Sequence, residues 1–260
     1  LREQLTVGSL FAGIGGFDLG LERAGMRVIW QSEIDPYACA VLRKHWPDVP
    51  NYGDIRGITA ATVERPDVLC GGFPCQDISN AGDRVGIDGE RSGLWSEFAR
   101  VIGELRPRYV IVENTASLNF RGLLRCLGDF AALGYNAEWH CIPASAVGAP
   151  HERDRTWIVA YPERLGRQER CLQTVEPCET WRETPMGKRV GMVRSEMGRE
   201  AITDLIRVDD GIPNRSHRMR VLGNAIVPQI AEVIGRAILE AECRSALCRD
   251  IMRKSSGGQS

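Results

Sequence analysis

Residues 5–34, LTVGSLFAGIGGFDLGLERAGMRVIWQSEI, decide the fold. An apolar, β-rich run, LTVGSLF, meets a glycine turn, FAGIGGF, spanning Phe11 to Phe17. Apolar residues then recur at helical spacing, at Phe17, Leu19 and Leu21, until Gly25 supplies a stop signal. RVIWQSEI follows as a second strand. Glycine in the turn, notably Gly13 and Gly15, lets backbone approach a ligand closely. The helix N-terminus beyond it favours negative charge. The turn lacks the G-x-x-x-x-G-K-[ST] of a phosphate cradle, which disfavours ATP.

The alternation continues outward. DPYACAVLRKHW (35–46) reads as a helix with Pro36 in its first turn. PDVLCGG (66–72) is a strand, and SGLWSEFARVIGELRP (92–107) an amphipathic helix closed by Pro107. RYVIVEN (108–114) is a β-branched strand, and GLLRCLGDFAALG (122–134) a helix. YNAEWHCIPA (135–144) and RTWIVA (155–160) are two more strands. Strands separated by helices predict an α/β fold with a parallel, Rossmann-like sheet and right-handed crossovers. The pattern changes after Tyr161-Pro162. Four segments are expected: an α/β domain over 1–162, a polar insert over 163–216, a segment over 217–250 that rejoins the first domain through a long helix, and a disordered tail over 251–260.

Composition narrows the class. At 43% hydrophobic and 26% charged, the chain reads as a globular protein, with no apolar run long enough for a membrane helix. The N-terminus lacks a signal-peptide core, and it opens on Leu1 rather than Met, which leaves its completeness open. Nine scattered cysteines with no C-x₂-C pair suit a reducing, cytoplasmic setting and no metal site. A net charge of −1 does not announce a nucleic-acid binder, although a local basic face can serve. Lysine is confined to Lys44, Lys188 and Lys254; an arginine-rich chain suits contacts to phosphate and guanine, and a GC-rich genome gives the same bias.

Candidate site residues fall at the carboxyl ends of strands, where open α/β sheets bind ligands. Glu33 closes the second strand about twenty residues after the glycine turn, as suits a ribose diol. Asp54, expected after a third strand, suits an adenine amino group. Cys75 in GGFPCQDIS follows the next strand, stiffened by Pro74; alone it reads as buried filler, metal ligand or nucleophile. Glu113 and Asn114 end the following strand, and a raised pKa would make Glu113 a proton donor. In HERDR, Arg153 and Arg155 alternate with acids, so both can face one way on an extended chain, as one pocket wall or one solvent face. A thiolate, a carboxyl group and two arginines beside a nucleoside-shaped hollow suit addition to an electron-poor ring.

The ordered set FAGIGGF, Glu33, GDI, GGFPCQDIS, VENT, HERDR and RVLGNAIVPQ resembles the DNA (cytosine-5)-methyltransferases of bacteria and phage, across nearly the whole chain outside 163–216. The resemblance implies that Phe11, Gly13, Gly15, Glu33, Asp54, Pro74 and Asn224 hold or support S-adenosylmethionine. It implies that Cys75 attacks C6 of a cytosine flipped out of double-stranded DNA, with Glu113 at N3 and the amino group and Arg155, backed by Arg153, orienting the base. QDISNAGDRVGIDGERSG would be a mobile lid; Gln76, Ser79 and Asn114 fall on the substrate side, and Arg91 near phosphate. The insert would read sequence. Two departures stand out: Thr115 where the family more often has Val, and His151 where it more often has Gln.

The resemblance further implies a monomer, in a restriction–modification system with a cognate endonuclease or standing alone. Two other readings stay open. One is a transfer-RNA cytosine-5 methyltransferase, which the short insert allows. The other is a decayed, cofactor-binding prophage remnant. An amino-directed methyltransferase is disfavoured, because the Asp/Asn-Pro-Pro-aromatic loop it needs is replaced by GGFPCQ.

Overall fold

A computed structural model describes residues 4–74, 93–149, 151–163 and 224–256. Its first half contains β1 (Thr6–Leu10), α1 (Gly16–Ala24), β2 (Arg27–Ser32), α2 (Pro36–His45), β3 (Val68–Gly71) and α3 (Gly93–Leu105). There follow β4 (Tyr109–Thr115), α4 (Leu118–Arg121), α5 (Leu123–Ala132), β5 (Tyr135–Pro143), β6 (Asp154–Pro162) and α6 (Pro228–Ser256). The six strands form one sheet in the order β2-β1-β3-β4-β6-β5. All six strand candidates are therefore strands.

Their directions differ from the expectation. β1 to β4 are mutually parallel, but β6 runs antiparallel to both β4 and β5. The connection from β5 to β6 holds only a short turn of 3₁₀ helix, Ala144–Val147, and no crossover helix. Without a crossover, a chain returns antiparallel. The expected strand before Asp54 is a single bridge between Gln31 and Asn51.

Both faces of the sheet are covered, and β4 shows how the period of two divides them. Val110 and Val112 face α3 and α5, against Trp95, Phe98 and Phe130. Tyr109 and Ile111 face α1 and α6, with Phe17, Leu21, Trp157, Ile230 and Ile234. Small residues let α1 and α6 approach closely. A Cβ added at Gly20 would lie 2.3 Å from the Pro228 carbonyl oxygen, and one at Gly235 2.8 Å from the Ala24 Cβ.

The last helix runs to Ser256, through six residues of the expected disordered tail. Nothing in RDIMRKSS breaks a helix, and the first breakers are Gly257 and Gly258. The insert over 163–216 lies outside the described residues apart from Glu163. Among the described residues, no helix is long and apolar enough to cross a membrane.

Candidate functional site

The glycine turn is wound through positive φ at three alternate residues: Phe11 (+50°), Gly13 (+57°) and Gly15 (+84°). Glycine adopts this region freely, whereas phenylalanine does so only when its surroundings over-determine it. Here they do. The Phe11 ring packs 6.3 Å from that of Phe98. The next amides are fixed by Ala12 N–H donating to the Ser32 carbonyl (3.1 Å) and Gly13 N–H to Glu33 Oε2 (2.8 Å). Gly15 caps the N-terminus of α1 and stands against the Trp46 ring.

Glu33 is a bracket as well as a cleft wall. While Oε2 holds Gly13, Oε1 accepts the amides of Ile34 (2.8 Å) and Asp35 (2.7 Å). Asn51 braces the same corner, accepting the amides of Glu33 (3.0 Å) and Gly53 (3.1 Å) and donating to the Glu33 carbonyl (3.1 Å). Asp54 caps the turn Ile55–Gly57 through the Arg56 amide (2.9 Å) and pairs with the Arg56 guanidinium. Ile34 stands at the cleft with 69% of its surface exposed, an apolar platform beside an acid.

Beneath the turn lies a buried polar knot. Asp18 of α1 accepts from Ser9 Oγ on β1 (3.0 Å) and from Gln31 Nε2 on β2 (2.7 Å). Complete burial pushes its carboxyl up to about 6, while the bonds from Gln31 and Ser9 pull the other way. Neither Asp18 nor Asn51 was legible as a site residue. An acid in the first turn of a helix reads as an exposed dipole partner, and a lone loop Asn carries no signal at all.

The second half of the cleft comes from β3 and β4. Glu113 is buried, and its Oε1 lies 3.0 Å from Arg155 Nε. Burial drives the Glu113 carboxyl up to about 7, against the pull of Arg155 and then Arg153. Desolvation thus outweighs the ion pair, and the group is poised between its two protonation states near neutrality. Asn114 points to the opposite face from Glu113. Its amide donates to the Phe73 carbonyl (3.1 Å) and its oxygen accepts the Thr115 amide (2.8 Å), so it ties the end of β4 to the Phe73-Pro74 segment. Arg153 departs from the expected alternation: its φ of +35° turns the backbone out of the extended region just before β6. Its charge still acts on Glu113.

These groups converge on one cleft of about 580 Å³. Phe11, Gly13, Glu33, Ile34 and Asp54 line one part of it; Pro74, Glu113, Asn114, Thr115, Arg155 and Asn224 line the rest. Gly15 and Arg153 do not line it, and act from behind. Cys75, Gln76, Ser79 and Arg91 lie outside the described residues, which reach Pro74, one residue short of Cys75. The volume suits a cofactor-sized molecule. The walls offer an apolar platform and an anchored carboxylate at one end, and a buried acid paired with a part-buried guanidinium at the other.

Comparison with known proteins places this arrangement. The family model described as C-5 cytosine-specific DNA methylase matches residues 5–197. Type II methyltransferase M.DsaV of Dactylococcopsis salina is 29% identical over 227 residues, covering 86% of this chain and 62% of that protein. Type II methyltransferase M.Eco47II of Escherichia coli is 38% identical over 162 residues, covering 60% of this chain and 39% of that protein. The chain therefore spans less than two thirds of these curated relatives. The solved structure of the Entamoeba histolytica methyltransferase EhMeth superposes with a TM-score of 0.62 at 14% identity, over 92% of this chain and 99% of that one, a likeness of fold.

Proposed function

The chain belongs to the C-5 cytosine-specific DNA methylase family, and from that premise we propose that it transfers a methyl group from S-adenosylmethionine to C5 of a cytosine in double-stranded DNA. The observation that carries the reading is the Glu113–Arg155 pair, held at 3.0 Å in the same cleft as the Glu33-braced glycine turn. A buried acid near neutrality and a guanidinium suit the Watson–Crick edge of a pyrimidine. The other end of the cleft suits a nucleoside.

The described residues fit the methyl donor. Ile34 offers an apolar face for a base, and Glu33 and Asp54 offer acceptors for ribose and amino groups. The glycine turn and the α1 N-terminus suit a carboxylate. When bound, S-adenosylmethionine supplies a methyl group on a positively charged sulfur.

The chain's own residues would do the rest. The Cys75 thiolate adds to C6, forming a carbon–sulfur bond and moving the C5–C6 π pair towards C5 and the N3–C2–O2 system. Glu113 in its neutral form donates its proton at N3, and its other oxygen accepts from the exocyclic amine. Arg155 restrains Glu113 and steadies the ring, with Arg153 adding charge from behind. Once C5 carries the methyl group, a water molecule takes the C5 proton, the C5–C6 double bond re-forms as the carbon–sulfur bond breaks to release the Cys75 thiolate, and N3 returns its proton to Glu113. Gln76, Ser79 and Arg91 are assigned to the DNA side, and residues 163–216 to sequence reading. The Type II names of the relatives support a restriction–modification setting with a cognate endonuclease.

The test combines transfer and mapping. The purified chain, labelled S-adenosylmethionine and unmethylated bacterial DNA should give 5-methylcytosine in one sequence context on bisulfite sequencing. Cys75→Ala should abolish transfer while cofactor binding persists. Transfer to total tRNA instead of DNA, or to neither, would overturn the proposal.

A further inference from the structure

One residue that lines the cleft carries a polar atom with no role in the chemistry above. Thr115 Oγ1 is buried and has no hydrogen-bond partner among the described residues. A buried hydroxyl without a partner costs stability, and valine would fill nearly the same volume without that cost. The position of Thr115 shows which face of the sheet its side chain takes. It ends β4 two residues after Glu113, so the two side chains share one face of the sheet. Arg155, the ion-pair partner of Glu113, is its direct neighbour across the β4–β6 ladder. Thr115 also lines the cleft.

Resting on the proposed cytosine reaction, we infer that Thr115 is a further substrate-contacting residue, its hydroxyl donating a hydrogen bond to O2 of the flipped pyrimidine. With Glu113 at N3 and the amine, O2 is the next group along the base edge, and Thr115 is the next residue along this face of β4. O2 carries two lone pairs, so it can accept from Thr115 and from Arg155 together. Negative charge grows on the N3–C2–O2 system when the thiolate adds at C6. A donor at O2 therefore binds the transition state more strongly than the ground state. Its loss should fall on kcat more than on KM.

The experiment compares wild type, Thr115→Val and Thr115→Ser on the same unmethylated bacterial DNA. The readouts are kcat, KM for DNA, S-adenosylmethionine affinity and melting temperature. Removing one such donor should lower kcat of Thr115→Val by about tenfold or more, with KM for DNA and cofactor affinity within about twofold. Thr115→Ser, which keeps the hydroxyl, should recover most of the lost rate. Thr115→Val should melt no lower than wild type, since it removes an unpartnered polar atom. An active wild type matched in kcat by Thr115→Val would overturn this inference alone. So would a serine variant as slow as the valine variant, or a loss confined to cofactor affinity or to melting temperature. A wild type that methylates no DNA would overturn the proposed function, and this inference with it.

Discussion

Glu113→Gln should make the protein more stable at alkaline pH while crippling it as an enzyme. Burial raises the Glu113 carboxyl from 4.5 to about 7 in the folded chain. Between those values the folded state holds a proton that the unfolded state has released, so stability falls as pH rises. The full penalty above pH 7 is about 2.5 pKa units at about 1.36 kcal/mol each, or roughly 3 kcal/mol. By pH 5 about 1 kcal/mol of it has already accrued, which leaves roughly 2–3 kcal/mol between pH 5 and pH 8.5. Glutamine keeps the shape and cannot ionise, so the variant escapes this slope. The assay is thermal melting of both proteins at a series of pH values. For a chain of this size the gap in Tm should widen in favour of Glu113→Gln by roughly 5–10 °C from pH 5 to pH 8.5. Asp18 has the same kind of slope, and it cancels because both proteins carry it. Methyl transfer should fall about a hundredfold or more. Melting curves that move in parallel with pH would refute the claim that burial outweighs the Arg155 ion pair.

Asp18→Ala should leave Ser9 Oγ and Gln31 Nε2 without their buried acceptor, and should cost about 2–4 kcal/mol in urea denaturation. Glu33→Ala removes the acceptor of the Gly13, Ile34 and Asp35 amides, so calorimetry should show S-adenosylmethionine binding weakened by about tenfold or more, with a fold intact by circular dichroism. Gly20→Val would drive side-chain carbon against the Pro228 carbonyl; it should cost about 1–3 kcal/mol of stability and lower Tm accordingly. The double variant Gly20→Val, Glu33→Ala should show additive losses of stability, since the two residues share no partner.

The strands were legible because each is a short apolar run bounded by glycine, proline or a helix signal, as in RYVIVEN. The glycine turn and Glu33 were legible because close backbone approach and a following acid leave a spacing in the chain. The direction of β6 was not. Local pattern reports that a segment is extended, whereas pairing depends on what joins it to its neighbour, here a turn with no crossover helix. Arg153 escaped for a related reason: alternation presumes an extended backbone, and its φ of +35° breaks that premise. Asp18 bonds residues 9 and 13 positions away in sequence, and Asn51 bonds Glu33 18 positions away, distances no short motif encodes. The raised pKa of Glu113 was foreseeable only as a requirement of the chemistry. Its cause, burial that outweighs the pull of two arginines, exists only in three dimensions.

The glycine-lined seam between α1 and α6 has a consequence for how the protein is made. The ribosome releases α1 early and α6 roughly 200 residues later, about 10–40 seconds at typical rates of synthesis. Through that interval Phe17 and Leu21 lack the Ile230 and Ile234 that cover them in the finished sheet. A nascent chain stalled before Pro228 should therefore be sticky, a natural client for a chaperone at the tunnel mouth, and release of the last helix should end that dependence.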